Sequence, residues 1–129
     1  MKALPKIADA ANSSRLRDAI QSHLRETESH VTRLESIFAD LRKKPKAETC
    51  EGMKGLIDEG EGLTGDIDES PLRDAGIIAA NRVEHYGIAA YGTARTFAQR
   101  LGRSKVASLL DETLNGGLQA YRSCAVYDQ

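Results

Sequence analysis

Apolar residues recur at helical spacing over long stretches of this chain. The longest stretch runs from Arg15 to about Lys44, and its apolar positions fall on one face of a helix, so the pattern predicts a single long helix here. We expect the pair Ser13-Ser14 to cap the start of this helix and Pro45 to end it. Its inward seam consists of Leu16, Ile20, Leu24, Thr27, Val31, Leu34, Phe38 and Leu41.

Three further helices are predicted around the long one. The first covers Lys2 to Ala11, the third runs from Ser70-Pro71 to Leu101 and stops at Gly102, and the fourth follows from Ser104. The seam of the third helix contains Ile77, Ala80, Gly87, Ile88, Tyr91, Ala94, Ala98 and Leu101. The seam of the fourth helix contains Val106, Leu109, Leu110, Thr113, Ala120, Cys124 and Tyr127.

The stretch from residue 46 to residue 70 has a different character. It is acidic and rich in glycine, which predicts a crossover connection with a short, poorly formed helix. Its run Asp58-Glu59-Gly60-Glu61 lacks the spacing of an EF-hand loop and is interpreted as a solvated surface. Strand signals are nearly absent. The sequence therefore predicts one all-α domain over residues 1–129, a four-helix bundle with one long crossover and a truncated first helix, which is the order of ferritin-like folds.

Composition and charge narrow the range of partners. The formal net charge is −1 and the basic residues are spread along the sequence, so we expect no binding to nucleic acid and none to a membrane. The chain shows no signal peptide and no apolar run of about 20 residues, which predicts a soluble, cytoplasmic protein. Cys50 and Cys124 are expected to be free thiols. A basic cluster is interpreted as a helix end, where cations complement the dipole: Arg42, Lys43, Lys44 and Lys46.

Glu84 is the most unusual residue of the pattern because it falls on the apolar seam of the third helix. A buried carboxylate without a partner costs several kcal/mol and would usually take up a proton. The position therefore predicts a partner, which is a cation, an arginine, or a group of other carboxylates around a metal ion.

Two histidines and a glutamate on the long helix form a candidate metal-binding group. His23 and His30 share one heptad position, and Glu26 lies one turn before His30. An inward carboxylate and an imidazole one turn apart can hold a metal ion from a single helix. In the alternative interpretation the histidines are neutral and hydrogen-bonded at the edge of the core, while Glu26 pairs with an arginine. The pattern leaves both interpretations open.

The fourth helix offers a partial counterpart. Glu112 lies at the edge of its seam, as Glu26 does on the long helix, although it is equally interpreted as an exposed helix residue. One turn later the chain has Gly116 and Gly117. Two glycines inside a helix cost about 1 kcal/mol each relative to alanine, so a kink or fraying is expected there.

Six stretches of the sequence carry a family resemblance: Lys2 to Ala8, His23 to Glu35, Cys50 to Met53, Arg73 to Tyr86, Ala89 to Thr93 and Leu109 to Leu114. They are similar to the YciE/YciF-type ferritin-like family of bacterial stress-associated proteins. The resemblance extends from Lys2 to about Tyr121. It implies a ferritin-like four-helix bundle, usually a homodimer, with a rubrerythrin-like dinuclear metal site and no settled biochemical activity.

The resemblance also implies which residues form that site. It places metal ligands at Glu26, His30, Glu84 and Glu112, with iron or manganese as the metal. The family pattern has a further carboxylate on a helix-one stretch that would lie before Met1, and glutamates at the positions of Asn115 to Gly117. By this comparison the site is incomplete.

Two functional hypotheses follow. In the first, the protein binds metal at these residues and handles oxygen or peroxide during stress. In the second, it is a non-enzymatic bundle that acts through dimer or partner contacts. Glu84 is then neutralised by Arg82, by a cation of another helix, or by a proton. Neither hypothesis identifies a small-molecule substrate, and no motif for nucleophilic catalysis is present.

Overall fold

The computed structural model describes residues 3–65, 74 and 81–125, and within these ranges all regular structure is helical. Helix α2 packs against α1 and α5, α5 packs against α4, and α3 packs against α4. The all-α fold predicted from the sequence is thus confirmed. The predicted start of the third helix at Ser70-Pro71, and its seam residues Ile77 and Ala80, lie outside the described residues. The helices are α1 (Ala3–Ala10), α2 (Ser14–Asp40), α3 (Glu51–Gly65), α4 (Arg82–Arg100) and α5 (Ser104–Ala125).

Side chains fasten the turn between α1 and α2. Ser13 is the N-cap of α2, as expected, and its hydroxyl accepts a hydrogen bond from the backbone N–H of Leu16 at 3.3 Å. The carboxylate of Asp74 accepts the backbone N–H groups of Asn12 and Ser13, each at 2.9 Å. Arg17 donates to the carbonyl of Ala11 at 2.9 Å, at the end of α1. These bonds satisfy backbone groups that the helix ends leave without partners.

The long helix ends earlier than predicted. Helix α2 stops at Asp40 rather than near Lys44, so Pro45 does not end it. Arg42 takes a left-handed conformation with φ 55°, and the N–H of Lys43 donates to the carbonyl of Phe38 at 2.9 Å. This is a Schellman-type ending, in which the αL residue turns the chain and the free carbonyls gain donors. The end of α4 has the same form, with Gly102 at φ 66°.

Two apolar clusters lie at different levels of the bundle. The first joins α1 to the N-terminal half of α2 through Ala8, Ala11, Leu16 and Ile20, and the second joins α2, α4 and α5 through Ile37, Ala98, Val106, Ala107 and Leu110. Three predicted seam residues are exposed to solvent instead of buried. Leu101 is 75% exposed, because it follows the last turn of α4, and Val31 and Leu41 are 39% and 37% exposed.

The glycine-rich helices are more regular than expected. Helix α3 has 15 residues, so the prediction of a short, poorly formed helix in the crossover is wrong in length. Helix α5 continues through Gly116 and Gly117 without a break. Just before α3, the exposed free thiol of Cys50 has its Sγ 3.2 Å from the hydroxyl oxygen of Tyr86. The side chain of Cys124 lies outside the described residues. Among the described helices, none has both the length and the apolar character to cross a membrane.

Candidate functional site: a polar layer in the bundle

A layer of charged and polar side chains separates the two apolar clusters along α2. Its members come from three helices that meet in the middle of the bundle. We call the following set the polar layer: His23, Glu26, His30 and Arg33 from α2, Glu84 from α4, and Glu112 from α5. All four residues that the sequence proposes as metal ligands are in this set.

Glu84 has the partner that its position requires. Its Oε1 lies 2.8 Å from Nε2 of His23, and the Glu84 side chain is 21% exposed. Arg82, one of the partners considered from the sequence, instead pairs with Glu59 of α3. The other ring nitrogen of His23, Nδ1, is buried and has no hydrogen-bond partner among the residues described. The contact with Glu84 thus leaves His23 half satisfied.

Glu26 and His30 contact each other one turn apart on α2. Oε1 of Glu26 lies 3.2 Å from Nε2 of His30, which is buried at 8% exposure. Burial lowers the pKa of His30 below its usual value, because removal from water disfavours the charged ring, and the neighbouring Glu26 opposes this only in part. The ring of Tyr91 meets His30 edge to face, with centroids 6.3 Å apart, and burial raises the pKa of Tyr91.

Arg33 joins the carboxylates of two helices. Its Nε lies 3.4 Å from Oε2 of Glu112 on α5, and its Nη1 lies 3.5 Å from Oε1 of Glu26. Nη1 is buried and lacks hydrogen-bond geometry to any partner in the described part of the chain, so the contact with Glu26 is one of charge attraction. The guanidinium therefore places a fixed positive charge between the two glutamates.

On the α5 side of the polar layer, side chains from α2 fill the space beside Gly116. A Cβ atom built at Gly116 would lie 2.6 Å from Oε1 of Glu26 and 3.0 Å from Nε2 of His30. At Gly117 the nearest atoms would be Cγ1 of Ile88 at 3.9 Å and Oε2 of Glu84 at 4.0 Å, which is ordinary contact. The absence of a side chain at Gly116 is thus what lets Glu26 and His30 approach α5.

These contacts allow a test of the metal site implied by the family resemblance. In the residues with described side chains, no group of three or more His, Cys, Asp or Glu is arranged to hold a metal ion. The charge of Arg33 occupies the position between Glu26 and Glu112 that a bridging cation would take, and Gly116 supplies no ligand. The arrangement therefore does not fit a dinuclear centre as it stands.

The sequence identified most of this site and missed its central member. Arg33 brings Glu26 and Glu112 together and His30 contacts Glu26, whereas Glu84 pairs separately with His23. Both interpretations of α2 contain part of the answer, since Glu26 contacts a histidine and an arginine. Arg33 carried a usable signal, because it lies seven residues after Glu26 and so falls on the same helix face.

Comparisons with known proteins give a consistent result. A family model described as "Domain of unknown function (DUF892)" matches residues 1–122. Protein YciF from Escherichia coli strain K12 is 40% identical over 115 residues, which cover 88% of this chain and 69% of YciF.

Two solved structures are similar over nearly the whole chain. The structure of the E. coli stress protein YciF matches with a TM-score of 0.92 and 36% identity, covering 98% of this chain and 80% of that one. YcfI from Rhodopseudomonas palustris, provisionally described as a structural protein, matches with a TM-score of 0.93 and 36% identity, covering 96% of this chain and 80% of that one.

Proposed function

Because the chain belongs to the DUF892 family and is similar to YciF, we propose that it is a stress-associated structural bundle whose polar layer is held together by Arg33 instead of metal ions. The description of YciF as a stress protein and of YcfI as structural supports this choice. In this role the layer fixes how α2, α4 and α5 pack, and no reaction takes place in it.

The contact between Arg33 and two glutamates of different helices is the observation that carries the proposal. An arginine has a permanent charge and a planar set of donors, so it can bridge carboxylates without being loaded or lost. Arg33 offsets the charge of only one of the two carboxylates that it contacts. Part of the remaining negative charge lies on Glu112, whose side chain is 58% exposed and therefore solvated. A layer built in this way is stable without a cofactor.

A homodimer is part of the same proposal. Between α1 and α2 lies an open groove of about 300 Å³, with apolar residues such as Leu4 and Leu24 in its lining. Its charged residues have both signs, with Asp9 and Glu28 beside Arg25. A two-fold symmetric contact brings the same patch of two copies together, so mixed charges suit a second copy of this chain better than a strongly charged partner. Light scattering of the protein with and without Leu24→Glu tests this, with loss of the dimer expected in the variant.

Binding of one divalent cation is a second candidate function. With both histidines neutral, the polar layer contains three carboxylates and one guanidinium, which leaves a formal charge of −2. A single iron or manganese ion would neutralise it. Glu26, His30 and Glu112 would hold the ion if Arg33 moved aside, and the charge excess is the observation that favours this candidate.

Metal content and stability together distinguish the two candidates. The protein is purified without chelators and compared with Arg33→Met, which keeps an apolar chain of similar length but removes the charge. If Arg33 holds the layer, the wild type contains less than about a tenth of an equivalent of metal. Because both carboxylates are partly exposed and screened by water, Arg33→Met then lowers the free energy of unfolding by about 0.5–1 kcal/mol.

The opposite outcome overturns the first proposal. About one equivalent of iron or manganese in the wild type, lost in Glu26→Ala and retained in the control Lys54→Ala, would establish the cation site. Lys54 is a suitable control because it lies on α3 and pairs with Asp58, away from the polar layer. An Arg33→Met variant that is as stable as the wild type would also reject the structural role of Arg33.

A further inference from the structure

The end of the bundle where α2 and α4 finish gathers positive charge from two distant parts of the sequence. Lys105, near the start of α5, donates to Oδ1 of Asp40 at the end of α2 at 2.9 Å. Ile37 and Val106 also share one apolar cluster, so the end of α2 and the turn between α4 and α5 lie side by side. We call this the basic end. Its cations are Arg42, Lys43, Lys44, Arg100, Arg103 and Lys105.

The backbone holds these cations on ordered helix ends. The N–H of Lys43 donates to the carbonyl of Phe38 at 2.9 Å, and the N–H of Arg103 donates to the carbonyl of Ala98 at 2.8 Å. All six side chains are exposed. Apart from Lys105, none has an ion-pair partner among the residues that the structure describes. With Asp40 included, the basic end has a formal charge of +5 in a chain whose net charge is −1.

Helix dipoles explain only part of this charge. Cations near the last turn of α2 and α4 are favourable, because the C-terminal end of a helix is partly negative. Arg103 and Lys105 instead lie at the N-terminal end of α5, which is partly positive. The carbonyl of Arg103 accepts the N–H of Ala107, which makes Arg103 the N-cap of α5, where a cation is unfavourable. Lys105 is explained within the fold by its ion pair with Asp40, whereas Arg103 has no such partner among the described residues and calls for an explanation outside the fold.

Large apolar side chains are exposed beside the cations. Leu101 is 75% exposed, and Phe97, one turn earlier on α4, is 64% exposed. Leu41, at the end of α2, is 37% exposed. Leu101 and Gly102 form the turn of a helical hairpin, so these groups sit on a projecting tip instead of in a groove.

We propose that the basic end attaches the protein to the surface of an anionic lipid bilayer, with Phe97 and Leu101 entering the headgroup region. Clustered Lys and Arg beside exposed apolar residues match the two contributions that hold peripheral proteins on such surfaces, which are attraction to anionic lipids and burial of apolar area. This surface lies apart from the polar layer and does not depend on its function.

Lipid explains the basic end better than nucleic acid does. Both would be attracted by the positive charge. Bases stack on aromatic rings, however, and the patch offers one ring, Phe97, beside two leucines that cannot stack. The sequence alone predicts no membrane binding, because the basic residues are spread along the chain. The structure brings them together, and the attachment proposed here is peripheral.

Vesicle binding of the full chain tests the proposal. Vesicles of phosphatidylcholine with phosphatidylglycerol are compared with vesicles of phosphatidylcholine alone, and bound protein is measured by sedimentation at low and high salt. We expect salt-sensitive binding to the anionic vesicles only. The variant Arg100→Glu/Arg103→Glu should bind the anionic vesicles at least about tenfold more weakly, because each Lys or Arg near the surface adds to the attraction to anionic lipid. Phe97→Ser/Leu101→Ser should also weaken binding several-fold.

A matched control and a spectroscopic probe complete the experiment. Lys6→Glu/Arg122→Glu makes the same change of charge at the far end of the bundle and should bind like the wild type. The chain has no tryptophan, so Leu101→Trp introduces a single reporter whose emission should shift to the blue on anionic vesicles, while Val31→Trp should not respond. Equal binding to both vesicle types, an unchanged Leu101→Trp spectrum, or binding to a single-stranded oligonucleotide but not to vesicles would overturn the proposal.

Discussion

Replacing Gly116 with alanine should destabilise this protein, although alanine is the better helix former. A Cβ at this position would lie 2.6 Å from Oε1 of Glu26 and 3.0 Å from Nε2 of His30. The first distance is shorter than atoms in contact allow and the second is tighter than most contacts, so the carboxylate must move away from α5 and the ring must yield slightly. That movement strains or breaks the 3.2 Å contact between Glu26 and His30.

Two opposing contributions set the size of the effect. In a helix interior, alanine is favoured over glycine by about 1 kcal/mol. Loss of a hydrogen bond to a charged group in a partly buried site costs about 1.5–3 kcal/mol. The side chain of Glu26 is 39% exposed and can turn towards water, which reduces this cost. The difference between the two contributions is about 0.5–2 kcal/mol, and because exposure reduces the cost we expect Gly116→Ala to lower the free energy of unfolding by about 0.5–1.5 kcal/mol.

The neighbouring glycine provides the control. At Gly117 a Cβ would meet no atom closer than 3.9 Å, so Gly117→Ala should raise the free energy of unfolding by up to about 1 kcal/mol. Urea unfolding followed by far-UV circular dichroism measures both variants. In a Glu26→Ala background, Gly116→Ala should become stabilising, because the obstructing carboxylate is gone. Equal stabilisation by the two alanines in the wild-type background would refute the reasoning.

Three further outcomes are expected. Burial lowers the pKa of His30, so the folded state binds fewer protons than the unfolded state. The free energy of unfolding should fall as the pH drops through the usual histidine range near 6.5, and less so in His30→Gln. Asp74→Ala should lower the free energy of unfolding, measured with urea, by about 1–3 kcal/mol, because two backbone N–H groups lose their acceptor. The hydrogen bond from Tyr86 lowers the pKa of the Cys50 thiol. Tyr86→Phe should therefore slow the reaction of Cys50 with iodoacetamide near neutral pH, measured in a Cys124→Ser background. An unchanged rate would reject this role of Tyr86.

The helices were largely predictable because their signals are local. Ser13 caps α2 and Gly102 ends α4 through interactions within one or two turns, and both were expected. The end of α2 was misplaced because Pro45 is a strong local signal, whereas the αL conformation of Arg42 is unusual for a residue with a side chain. The hydrogen bonds that the turn between α1 and α2 donates to Asp74 span about 60 residues of sequence and leave no pattern in it.

Most members of the polar layer could be predicted from the sequence, but Arg33 was missed and the pairings between the side chains could not be predicted. The sequence pattern singled out Glu84, because a carboxylate on an apolar seam needs a partner. In the structure that partner is His23. Which helix faces which depends on packing, so the sequence could not show that Arg33 reaches Glu112 on α5. The role of Gly116 was equally hidden, since a glycine inside a helix suggests a weak point and gives no sign of a close approach from another helix.

Helix α2 connects the polar layer to the basic end, yet the two regions should act independently. At about 1.5 Å per residue, Glu26 lies about 24 Å along the helix direction from Arg42. This exceeds the Debye length of about 8 Å at physiological salt, so charges at one region are largely screened from the other. Glu26→Ala should therefore leave vesicle binding unchanged, and Arg100→Glu/Arg103→Glu should leave metal content and unfolding at low pH unchanged. Loss of vesicle binding in a folded Glu26→Ala variant would mean that the polar layer controls the shape of the basic end, and that the two proposals describe one site.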